Sequence, residues 1–103
     1  MSRMILTCKA VGFYFDLDEA VFFEWIKKIR SIIKYDGKGN ELYLYFKSKD
    51  IPDDDLRSLI GLFYRYKIDM KQLQIFLNDN NREWFEGKPR GFWYYRVFGK
   101  TTK

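Results

Sequence analysis

The chain has no histidine, one cysteine and two prolines among its 103 residues. Without histidine the commonest general base at neutral pH is missing, and so is every Ser-His or Cys-His nucleophile pair. The usual metal ligand goes with it. A lone cysteine, Cys8, cannot build a disulfide framework, nor a zinc site of ordinary ligands when no histidine accompanies it. That fits a reducing cytoplasm, as does the lack of any Asn-x-Ser/Thr acceptor. No run reaches the ~18 to 20 apolar residues that a membrane-spanning helix needs. Arg3 opens an apolar stretch, but Lys9 interrupts it and no small-residue cleavage site follows, which argues against a signal peptide. The expectation is a cytoplasmic protein with no membrane span, no cofactor and no bound metal, and not an enzyme.

What is present is apolar and charged at once. Hydrophobic residues make up 47% and aromatic residues 20% of the chain, yet mean hydropathy is -0.44, so charges are interleaved with the apolar residues. This composition folds instead of remaining disordered, and the length suits a single domain over residues 1–103. The net charge of +5 is unevenly spread. From residue 82 onward Arg82, Lys88, Arg90, Arg96, Lys100 and Lys103 face only Glu83 and Glu86, so most of the excess sits there. Such a patch steers an acidic partner toward it without identifying that partner.

Residues 4–11 alternate as a strand. Asp16 and Glu19 form a capping-box pattern, and Phe22, Trp25, Ile26 and Ile29 follow at helical spacing. Residues 31–35 and 41–47 predict a hairpin joined by the glycine-containing connector 36–40. The stretch from Asp50 to Asp55, with Pro52, opens a second helix whose apolar face is Leu56, Leu59, Ile60 and Phe63. Residues 72–78 alternate again, with Leu73, Ile75 and Leu77 inward. Residues 92–98 predict a last, almost wholly aromatic strand. The order is β-α-β-β-α-β with an added C-terminal strand: an α+β fold with two helices packed on one face of a mainly antiparallel sheet.

Three features invite catalytic or ligand-binding readings. Asp53, Asp54 and Asp55 could suggest a divalent cation, but consecutive helical positions diverge by about 100° and no further carboxylates complete a ligand set. A helix start explains them. Gly37-Lys38-Gly39 lacks the spacing of a phosphate loop and precedes a strand, which predicts a turn. Cys8 lies mid-strand with no activating neighbour on its own face, as a buried structural thiol would.

Surface chemistry remains. Tyr43 and Tyr45 project from the sheet face opposite the helices. Trp84, Phe85, Arg90, Trp93, Tyr94, Tyr95 and Arg96 crowd the basic C-terminal segment. Tyr, Trp and Arg dominate interface hot spots, so these nine residues are the candidate partner-binding set. The alternative is that the aromatics compensate for a thin core, and the residues alone leave both open.

The opening Met4-Ile-Leu-Thr-Cys-Lys9, the Phe22-Phe-Glu-Trp25 helix, the block Leu62-Phe-Tyr-Arg-Tyr-Lys-Ile-Asp69 and the closing Trp84-Phe85 and Trp93-Tyr-Tyr-Arg-Val-Phe98 carry a resemblance. In size and layout the chain resembles the small immunity proteins of bacterial contact-dependent growth inhibition systems. The resemblance implies a toxin inhibitor that binds one cognate toxin domain as a monomer in a tight 1:1 heterodimeric complex. These proteins share no binding motif, so no residue role carries over. The alternative is a small RNA-binding domain with a ferredoxin-like sheet resembling the RNA-recognition motif, where aromatics stack on bases. Against its RNP1 pattern, residues 38–45 match at Lys38, Gly39 and Tyr45 but not at Asn40, Glu41, Leu42 and Tyr43. Protein is therefore the expected partner, with nucleic acid second.

Overall fold

A computed structural model describes residues 4–9, 11–12 and 16–99. The first half follows the expected order. Strand β1 (Met4–Lys9) leads to helix α1 (Asp16–Lys28), then to strands β2 (Ile32–Lys38) and β3 (Glu41–Phe46) and helix α2 (Asp53–Arg65). The strands form one antiparallel sheet in the order β1-β3-β2. The expected capping contact depends on the Asp16 carboxylate, which lies outside the described side chains, as do residues 10 and 13–15.

The hairpin is tighter than the five-residue connector expected. Lys38 still pairs with Glu41, leaving a two-residue turn at Gly39 and Asn40. Gly39 takes a φ of 62°, where an L side chain is disfavoured. At the other end of β2 the register slips between Ile32 and Lys34, making Ile33 the extra residue of a bulge. Strict alternation from Ile32 would turn Lys34 and Asp36 into the core. The slip instead sets Tyr35 opposite buried Leu44 and sends Lys34 and Asp36 to the outer face opposite Tyr45 and Tyr43.

One apolar cluster joins the inner sheet face to the helices. Leu6, Cys8, Leu44 and Phe46 meet Phe22 and Ile26 of α1 and Leu56, Leu59, Ile60, Leu62 and Phe63 of α2. The helices approach closely where the Trp25 ring lies over Gly61, and a Cβ there would stand 3.2 Å from the ring. Trp25 donates its indole N–H to Ser58 at 2.9 Å across the same contact. Asp55, in the acidic first turn of α2, accepts hydrogen bonds from the Ser31 N–H at 3.0 Å and from its hydroxyl, tying this helix to the α1–β2 junction.

The second half departs from expectation. Residues 72–78 are not a strand: Met70–Phe76 is a 3-10 helix. Met70, Leu73 and Phe76 recur every third residue and are all buried, whereas Ile75 is exposed and Leu77 half-buried. Asp69 starts the helix by accepting the Lys71 N–H at 3.0 Å. The glutamine–aliphatic alternation concealed this three-residue repeat, the natural period of a 3-10 turn. Nor do residues 92–98 form an added strand. They contain a single helical turn, Tyr94–Val97, preceded by another at Arg82–Phe85; these are α4 and α3. The i, i+4 geometry buries Val97 and brings Tyr94 and Phe98 together at 5.6 Å, a packing gain that overrides the strand preference of aromatic residues.

Among the described residues no fourth strand pairs with β1, which is an edge. Its Thr7 N–H donates to Gln72 Oε1 at 2.7 Å, and Gln72 Nε2 donates to the Thr7 carbonyl at 2.9 Å. One side-chain amide thus occupies both backbone groups, as a neighbouring peptide would. Replacing Gln72 with alanine is expected to cost about 1 to 3 kcal/mol by leaving both groups without their protein partner. A urea titration would show the lower midpoint, and amide exchange at Thr7 would accelerate.

Candidate functional site

The C-terminal segment is built from turns locked by side chains. Asn81, itself buried, donates Nδ2–H to the Phe76 carbonyl at 2.8 Å and accepts the Asn78 N–H at 2.9 Å. Asn78 returns the contact through its own carboxamide oxygen, which accepts the Asn80 and Asn81 N–H groups. This turn delivers Phe85 into the core, where its ring meets Phe98 at 4.9 Å. Trp93 then folds back, donating its indole N–H to the Phe85 carbonyl at 2.8 Å and meeting Trp84 edge to face. The fold-back requires Gly91, because a Cβ there would fall 2.3 Å from the Trp93 ring. Arg57 of α2 covers Trp84 at 3.9 Å from the ring centroid.

These contacts divide the nine candidates. Phe85 belongs to the core and cannot meet a partner, a correction to its place in the set. Trp84, Trp93 and Tyr94 are half-buried and support the segment from within. Tyr95 is 68% exposed, and Arg90 and Arg96 are also exposed. Tyr43 and Tyr45 stand on the outer sheet face and are engaged there: the Tyr43 hydroxyl donates to Glu41, and Lys34 lies 4.8 Å from the Tyr45 ring centroid. The Glu41 carboxylate accepting this proton also holds the Tyr43 pKa above its ordinary value. The sequence candidates therefore occupy two separate faces.

Around Tyr95 the structure adds residues that sequence reasoning missed as site members. Tyr64, on the last turn of α2, is 45% exposed and meets Phe92, 59% exposed, edge to face at 4.7 Å. Arg96 stacks 5.0 Å from the Tyr64 centroid, and Arg90 lies 4.3 Å from that of Tyr94. The available signal was the density of aromatic and basic residues in 62–67, which helical spacing splits between core and surface.

Beside these rings lies an open cleft of about 900 Å³, bounded by Tyr64, Arg65, Lys67, Lys71, Tyr95 and Arg96. Its floor includes the end of α2, closed as a Schellman motif. The Ile68 N–H reaches the Phe63 carbonyl at 2.9 Å, and the Lys67 N–H reaches the Tyr64 carbonyl at 3.4 Å. Lys67 takes the left-handed position of this motif, with a φ of 59°, where glycine is the usual occupant. Among the described residues, no carboxylate lies within 4.0 Å of the Arg65, Lys67, Lys71 or Arg96 charge.

Comparison with known proteins finds no matching family model, no similar curated protein and no similar solved structure. Among the described residues, no helix is long and apolar enough to cross a membrane.

Away from this face, Cys8 is buried beside Phe22 and Leu42, and burial pushes its thiol from 9.0 up to about 12. Because the folded thiol keeps its proton where the unfolded chain has ionised, stability is complete below pH 9. It is lost progressively as pH rises from there toward about 12, at roughly 1.4 kcal/mol per unit. Denaturation midpoints measured on either side of pH 9 should diverge between the native chain and Cys8→Ala, the variant showing the shallower alkaline decline.

Proposed function

We propose that the chain is a non-enzymatic, cytoplasmic binding protein that neutralises a cognate toxin domain by forming a tight 1:1 complex. Its docking surface is the face made by Tyr64, Phe92 and Tyr95 with Arg90 and Arg96. The observation that carries this reading is the exposure of three aromatic rings: Tyr64 of α2 at 45%, and Phe92 and Tyr95 at 59% and 68% on a segment whose other aromatics are anchored beneath them. Large rings left in water next to stacked arginines have the composition of an interface hot spot. The anchoring of Trp93 and Phe85 holds that surface in place before a partner arrives, which lowers the ordering cost of association. The toxin as partner rests on the resemblance to contact-dependent growth inhibition immunity proteins.

The outer sheet face is the weaker docking candidate. Tyr43 lies between Asp36, its partner in register, and Glu41, its hydrogen-bond acceptor, and the Lys9 charge there is paired with Glu41, so the face offers little free positive charge to a phosphate backbone. This disfavours RNA binding in the manner of the RNA-recognition motif.

The test is co-purification with the C-terminal domain of the protein encoded immediately upstream, followed by mass measurement of the complex. A 1:1 species is expected. The double variant Tyr95→Ala, Arg96→Ala should weaken it by about a thousandfold, since hot-spot side chains contribute ~2 kcal/mol or more each. Its circular dichroism should be unchanged, because both side chains are exposed. Binding as tight as that of the native chain would reject this face.

A further inference from the structure

We propose that the cleft between the end of α2 and α4 is a binding site for single-stranded nucleic acid. This lies beyond the toxin-binding reading and does not rest on it, although the cleft shares Tyr64, Tyr95 and Arg96 with that docking face, so the two partners would compete for it.

The charge of the cleft is gathered from separate parts of the chain. Arg65 closes α2, Lys67 caps it, Lys71 rides on the 3-10 helix and Arg96 on α4. The Arg65 and Lys67 charges both complement the α2 dipole at its C-terminal end. Lys71 and Arg96 are brought to the same concavity by tertiary folding. The single acid on the wall, Asp69, has its carboxylate turned to the Lys71 backbone N–H. Four cations around one acid, without carboxylate partners among the described residues, focus a positive potential in the concavity.

A second observation is the conformation of Lys67. The left-handed position of a Schellman motif is most cheaply filled by glycine, and an L side chain there strains the backbone. The chain tolerates that strain at the position that sets an ammonium on the cleft rim. A cation at a helix C-terminus also complements the dipole, so the binding role of Lys67 rests on its place in the cleft lining beside Lys71 and Arg96.

The aromatics decide among anions. Tyr64 and Tyr95 line the same wall as the cations, and Tyr95 is the most exposed large ring among the described residues. A groove that alternates cations with accessible rings suits a phosphodiester chain whose bases stack while its phosphates are neutralised. A polyacidic peptide without apolar side chains would use the cations and leave the rings idle. An isolated phosphate would fill a small part of a cleft of about 900 Å³.

The test is fluorescence anisotropy of the full chain with a labelled oligouridylate about eight nucleotides long, titrated across a range of salt. Binding should weaken with salt at a logarithmic slope of about -2 to -3, as ~3 to 4 phosphates displace counterions. Tyr95→Ala should lower affinity roughly tenfold with the slope retained, because it removes stacking and no charge. Lys71→Ala should make the slope shallower. Lys67→Gly is the discriminating variant: it should weaken binding and make the slope shallower while raising the melting temperature, a combination a structural lysine would not produce. Displacement by polyglutamate of equal charge at equal concentration would overturn the proposal in favour of an acidic protein segment. Displacement by millimolar inorganic phosphate at fixed ionic strength would overturn it in favour of an isolated anion site. Unchanged affinity in Tyr95→Ala or in Lys67→Gly would also overturn it, whatever the outcome with the toxin partner.

Discussion

The pairing of the Gln72 amide with both backbone groups of Thr7 fixes how the second half of the chain lies against the first. A strand in this position would have secured residues 70–76 through a ladder of backbone bonds. The 3-10 helix secures them through one carboxamide, and the same device recurs beyond it. Gln74 donates to the Val97 carbonyl at 2.7 Å, Asn81 to that of Phe76, and Trp93 to that of Phe85. Each bond runs from a side-chain donor to a backbone carbonyl, 23 residues away for Gln74 and within one turn or loop for Asn81 and Trp93, so amide and indole donors organise the described part of the C-terminal third. Apolar packing supplies the cohesion, with Phe46 against Phe76 and Phe85 against Phe98. The polar contacts select which arrangement of those rings is adopted.

The first half of the fold was legible because its periodicities were unambiguous. The spacing of Phe22, Trp25, Ile26 and Ile29, and of Leu56, Leu59, Ile60 and Phe63, marked two helices: Phe22, Ile26 and the α2 set are buried, Trp25 is half-buried, and Ile29 is buried just past the end of α1. Alternation around Leu44 and Phe46 marked β3. Over 72–78 two periods fitted the same letters, and only the tertiary environment, with Met70 and Phe76 both buried, selects three over two. Over 92–98 aromatics occupied every register, so no pattern could locate the inward side. The site suffered from the same limit. Tyr95, Arg90 and Arg96 are exposed as expected, but Phe85 lies within the core, and Tyr43 and Tyr45 belong to another face. Tyr64, Lys67 and Lys71 come to the cleft through the α2 cap and the 3-10 turn, neither of which alternation revealed.

Charge in this molecule separates into two economies. The recorded ion pairs, Lys9 with Glu41, Lys27 with Glu24, and Arg82 with Asp79 and Glu86, are solvent-facing and contribute little to stability. Arg57, Arg90 and Arg96 instead lie over aromatic rings, and Arg90 also donates to the Tyr95 hydroxyl at 3.4 Å, a neutral partner that leaves its charge intact. An arginine held in this way is positioned without being neutralised. That distinction explains how a face can be both well ordered and strongly positive.

The bulge at Ile33 reaches beyond the register of β2. Both outer strands of this sheet are exposed to pairing with another molecule, and each is guarded differently. On β1 the Gln72 amide occupies the central backbone groups, a plug that would have to be withdrawn first. On β2 the bulge breaks the straight run of the edge and turns Lys34 and Asp36 outward, with Lys38 exposed at its end. A second copy adding there would meet a kinked template and face like charges in several registers. The same irregularity that keeps Lys34 and Asp36 out of the core therefore also makes the β2 edge a poor template for a second copy.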